Sequence, residues 1–174
     1  MESELASILT PAGLRLQWFA GQAAPDSGTW RNFFFRIHGS CAASPVTPVE
    51  NSEPVTLAET ASSGSTILPY SQSDCDRLRD FLAPADSRLA GQEGRLGRAM
   101  GRLLAHELYH FLLQTRLHGK TGIAKAVHTP AALLSRSLRF EDDEIRRIRS
   151  VYSASVRNRV AAPVAAFAAR TAAE

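Results

Sequence analysis

The chain has 174 residues, 44% hydrophobic and 21% charged, which is enough apolar content for one buried core. Its 20 basic and 17 acidic side chains leave a net charge of +3, and no basic block is interleaved with aromatics, so nucleic acid is not an expected partner. No apolar run approaches a membrane span of about 18 residues. The acidic start Met1-Glu2-Ser3-Glu4 has no apolar signal region after it, so a soluble chain is expected, cytoplasmic or trimmed from an exported form.

Residues 14–19 alternate apolar and polar side chains and predict a strand. A turn-forming loop over 21–28 precedes a second strand over 30–38, whose aromatics suit a central position. Pro45, Pro48 and Pro54 mark 39–54 as a long exposed loop. Residues 55–58 predict a short strand, 61–65 a Gly/Ser turn and 66–70 a further strand, which Pro69 assigns to a sheet edge. A short helix over 73–81 follows, with Leu78, Phe81 and Leu82 on one side, and 83–94 reads as a loop. Cys41 and Cys75 are the only cysteines. A disulfide between them is favoured over two free thiols, because Cys75 stands between Asp74 and Asp76 in a polar segment.

Residues 95–122 carry the strongest pattern. At about 100° per residue, Gly97, Gly101, Leu104, Ala105, Leu108, Phe111 and Leu112 fill one arc, the buried face of a helix. The four-residue spacing of Gly97, Gly101 and Ala105 permits close packing on a sheet, at about 1 kcal/mol of helix propensity per Gly. His106 and His110 point the opposite way, with Leu103 and Leu113 as cleft walls. Histidines four apart on a helix can reach one metal ion, and Glu107 can reach a water beside it without being a ligand. A catalytic site needs a third ligand and an open position. His118 is the first choice, in a return 118–122 where Gly119 and Gly122 can take positive φ; Glu141, Glu144 and His128 are alternatives.

Further on, Thr129 and Pro130 predict an N-cap and first turn of a short helix reaching 135. A last helix over 141–157 is acidic at its start and basic later, with Asp142/Arg146 and Asp143/Arg147 spaced as i,i+4 pairs on a solvated face. Residues 161–174 form an Ala-rich tail broken by Pro163. The order of elements predicts an α+β fold, with 1–160 as one domain.

The HELYH of 106–110 resembles the zincin metallopeptidases. From the metzincin branch the chain departs at Leu113 and Arg116, where that pattern has Gly and His, and at Ala124, where the turn beneath the metal has Met. The wider stretch 96–126, with its Gly122-Ile123-Ala124, and residues 67–82 look more like uncharacterised bacterial zincin-like proteins with a His eight residues after the motif. The resemblance spans about residues 54–149. It implies a zincin-like fold, in which a small N-terminal mixed sheet packs on the active-site helix and an edge strand, here 66–70, pairs with extended substrate.

The expected function is zinc-dependent hydrolysis of peptide bonds. His106, His110 and His118 would hold Zn²⁺, Glu107 would act as general base, and Tyr152 or His128 would assist the oxyanion, with a peptide or protein as substrate. Tyr109 is assigned to packing. Two rivals stand beside this: a zincin-like binding module or structural metal site without catalysis, and a metal-free interaction protein. No nucleophile elbow, P-loop or dinucleotide fingerprint competes.

Overall fold

The computed structural model of the protein describes residues 1–19, 32–41, 55–85 and 91–161. They form an α+β arrangement: α1 (Glu2–Leu9), β1 (Phe34–His38), β2 (Ala58–Ser63), β3 (Thr66–Asp74), α2 (Cys75–Leu82), α3 (Gln92–Leu113), α4 (Pro130–Leu134) and α5 (Asp142–Ala161). The expected loops at 21–28 and 42–54 and the tail beyond 161 lie outside the described residues. No helix among those described is long and apolar enough to cross a membrane.

Helix α3 is the axis of the fold. Every residue from Ala99 to Leu112 is buried, so the helix is enclosed on all sides, not on one arc only. Its small residues meet a helix instead of the sheet. A Cβ at Gly101 would stand 2.8 Å from the Met1 carbonyl oxygen and 3.3 Å from the Leu5 nitrogen, and one at Gly97 would stand 2.9 Å from the Met1 nitrogen. Helix α1, for which the sequence offered no prediction, buries Leu5, Ile8 and Leu9 in that seam. Glu4 secures it there. Its carboxylate accepts from the Arg102 Nε at 2.8 Å, while Arg102 Nη1 donates to the Leu133 carbonyl at 2.5 Å. Arg98 and Arg139 flank the same carboxylate.

The sheet has the order β1-β3-β2, with β1 parallel and β2 antiparallel to β3. Four expectations are corrected. The aromatic strand β1 is an edge with most of its side chains exposed, not the centre. The strand carrying Pro69 is the centre, not an edge. Pro69 is tolerated because it precedes the first β1 pair, Phe34 with Tyr70, and faces the register shift between Thr60 and Ser62 on β2, so no ladder N–H is demanded of it. The turn expected over 61–65 shrinks to Gly64 and Ser65, because 61–63 belong to β2. Residues 14–19 form no strand: Leu14 is buried, but the segment pairs with none of the described strands.

Strand β3 runs on to Asp74, through a stretch whose polar sequence hid it. Ser71 and Ser73 face the interior, and their hydroxyls donate to the Glu59 and Leu57 carbonyls, both at 2.7 Å. Asp74 then caps α2, accepting from the nitrogens of Asp76 and Arg77. Thr129 caps α4 in the same way through Ala132. The Cys41–Cys75 disulfide is formed. Cys75 itself is fully buried, unlike the polar setting its neighbours suggested. Along α5 the pairs Asp142/Arg146 and Asp143/Arg147 do not close among the described ion pairs; Arg149 instead donates to the Pro11 carbonyl.

A candidate metal centre

Helix α3 ends at Leu113, and the geometry of its end builds the site. Gln114 takes the left-handed conformation with φ 48°, letting the chain reverse. The helix end is held in place, because the Gln114 amide is clamped. Its Oε1 accepts from the Ile67 nitrogen at 3.1 Å and its Nε2 donates to the Ile67 and Phe111 carbonyls at 3.0 and 2.9 Å. The reversal brings the Thr115 carbonyl under His110, whose Nδ1 lies 2.7 Å away. The chain then returns through Gly122, with φ 64°, and presents the Ile123 carbonyl 2.7 Å from the His106 Nδ1. Gly119 does not take positive φ; it is small because a Cβ there would collide with the Glu144 carboxylate.

These two carbonyls orient both imidazoles so that each Nε2 points into a cleft of about 600 Å³. The Nε2 atoms of His106 and His110 are 3.0 Å apart. Proton counting shows what that means. Three contacts, two to carbonyls and one between nitrogens, need three protons, and two neutral imidazoles carry two. Charging one ring is opposed by burial, which pushes His106 down to about 4, aided by the facing histidines and resisted by the Ile123 carbonyl; His110 is lowered for the same first reason. With both Nδ1 atoms donating to carbonyls, two lone pairs converge and call for a cation between them. His118 completes the group: its ring stacks on His106 at 5.2 Å and meets His110 edge-on at 4.8 Å. One nitrogen from each of the three lies within 4.8 Å of the others, two from buried rings and one from an exposed ring, and the set can hold a metal ion.

The alternative third ligands are occupied elsewhere. Glu144 is buried and accepts from the Glu141 nitrogen at 3.0 Å, and Glu141 accepts from the Thr121 hydroxyl at 2.7 Å. His128 lines the cleft, but its Nε2 lies 3.2 Å from the Ile123 carbonyl. Tyr152 packs at the margin of the core, and Tyr109 stacks on Phe140 and meets the His110 ring edge-on at 5.5 Å; neither lines the cleft. No family model, curated protein or solved structure matches this chain.

Glu107 lies in the same cleft, only 5% exposed. Burial raises its pKa to about 7, against the pull of a hydrogen bond from Thr60 and with a smaller push from Glu59. The Thr60 hydroxyl is 2.5 Å from Glu107 Oε2 and 3.4 Å from the Glu107 carbonyl oxygen. It can therefore donate to the carboxylate, or accept from the carboxylic acid while turning its own proton to the carbonyl. Thr60 and Gln114 are site residues that the sequence did not disclose, since each acts across a long separation in the chain.

Proposed function

We propose that this is a zincin-like metallopeptidase, with Zn²⁺ held by His106, His110 and His118 and Glu107 as the general base. The observation that carries the reading is the meeting, in one cleft, of three convergent imidazoles and a buried carboxyl poised near neutrality. The donor set suits zinc, which takes neutral imidazole nitrogens and in catalytic sites leaves one position open. A structural site would close with a fourth ligand; His128, Glu141 and Glu144, the candidates for it, are engaged elsewhere, which favours catalysis.

The ion, when bound, would acidify water and polarise a carbonyl. Glu107 takes a proton at its carboxylate and returns it to the leaving amine. Thr60 keeps the carboxyl oriented in both protonation states. Burial by Leu103 and the β2 wall limits competing water. Strand β2, not β3, is the edge beside the cleft, and it offers the backbone groups with which an extended peptide would pair.

The test is turnover of an internally quenched peptide library by zinc-loaded protein. Glu107→Gln should keep the metal and lose about 10²- to 10⁴-fold of the rate. Undiminished turnover in that variant removes Glu107 from the mechanism.

A further inference from the structure

The cleft is chemically two-ended, and this bears on its substrate. At one end Leu57 and Phe81 pack against the core cluster that contains Leu103, one helical turn before Glu107, and Val127 leaves 63% of its surface exposed beside them. At the other end stands Arg116. Its Nη2 donates to the Ser62 hydroxyl at the end of β2 at 2.8 Å and to the Gly64 carbonyl in the β2–β3 turn at 2.7 Å, both neutral acceptors. No carboxylate among the described residues lies within ion-pair distance of it. Its Nε and Nη1 keep their donors, and the side chain lines the cleft with His110 and His118. An uncompensated guanidinium, fixed at one nitrogen and open at the others, is a built receptor for a carboxylate.

The strand gives the spacing. Thr60 marks the position of Glu107, and Ser62, which holds Arg116, is two residues further along the same face of β2. Two strand residues span about 7 Å, the reach of one or two residues in an extended peptide. Leu57 lies three residues from Thr60 in the other direction.

Resting on the peptidase reading above, we infer that Arg116 selects peptides carrying a carboxylate one or two residues from the cleaved bond, with an apolar side chain on the opposite side. The carboxylate is an acidic side chain or a free C-terminus; both present the same chemistry to Arg116. Arg116 is thus a specificity residue and takes no part in the bond-breaking step.

The probes are quenched peptides with a fixed leucine and Glu, Gln or Lys at the first or second residue beyond it, each made with a free and with an amidated C-terminus. Zinc-loaded parent should favour Glu over Gln by about tenfold in kcat/KM, with Lys lowest. Preference for the free acid at every residue type would identify the terminal carboxylate as the source. Arg116→Glu should invert the order so that Lys exceeds Glu, which a merely loosened turn would not do. Arg116→Lys should keep the preference for acid, and serves if the charge reversal fails to fold. Turnover independent of charge, or an Arg116→Glu protein that still favours Glu, overturns the inference. If the zinc-loaded parent cleaves none of the probes, the peptidase reading fails separately. Anisotropy of the labelled peptides then decides the inference, tighter binding of the acidic set supporting it and equal binding overturning it.

Discussion

Replacing both Cys41 and Cys75 with Ala should destabilise the protein by about 4 kcal/mol. The bridge joins residues 34 apart in sequence, and closing a loop of that size lowers the entropy of the unfolded chain by an amount equivalent to about 3.8 kcal/mol at 25 °C. Cys75 is fully buried, so deleting its sulfur adds a packing loss of about 1 kcal/mol or less, whereas reduction of the native protein does not. In urea, with a slope of about 2 kcal/mol/M, the midpoint should fall by about 2 M for the reduced protein and for the variant alike. The bridge fastens the end of β1 to the start of α2, and no histidine of the cluster lies within its loop. Metal stoichiometry under native conditions should therefore be unchanged. A midpoint shift below about 0.3 M on reduction would refute the reasoning.

Glu4→Ala leaves the Arg102 guanidinium buried without its carboxylate and should cost about 3–5 kcal/mol in chemical denaturation; a loss under 1 kcal/mol would mean that the pair contributes nothing net. The metal-free protein should show opposed pH dependences. His106, depressed from 6.5 to about 4, stabilises less as pH falls through that window, since the unfolded chain binds the proton first. Glu107, raised from 4.5 to about 7, stabilises fully below 4.5 and loses that contribution as pH rises to 7. The two nearly cancel in the parent between pH 4.5 and 6.5, whereas Glu107→Gln, which keeps only the His106 part, should gain about 2 kcal/mol relative to the parent over the same rise; His110, also lowered by burial, tilts both proteins alike. Matching profiles for the two proteins would contradict this. Thr60→Val should lower kcat about tenfold, with Thr60→Ser restoring it; equal loss in both would assign Thr60 to packing alone.

What could be read from the sequence was what local spacing encodes. The i,i+4 histidines, the cap at Thr129 and the apolar stripe of α3 each act within a few residues, and each has its structural counterpart. What escaped acts over distance. Glu4 was legible only as part of an acidic start, because its partner Arg102 is 98 residues away. Gln114 gave no local signal because its amide pairs with Ile67, 47 residues earlier. Strand order was misread because the buried face of β3 carries serines, whose hydroxyls are satisfied by carbonyls of the neighbouring strand and its approach. Conversely, the alternation over 14–19 was a strand signal, yet the segment pairs with none of the described strands. Thr60, the partner of the proposed base, has no local signature at all.

The most direct test of the account is elemental analysis of purified protein, reconstituted at neutral pH, for the parent, His118→Ala and Glu141→Ala. The account predicts about one zinc per chain in the parent and in Glu141→Ala, and clear loss in His118→Ala. A parent that takes up no metal would contradict it, and would leave the converging nitrogens of His106 and His110 to share a proton instead.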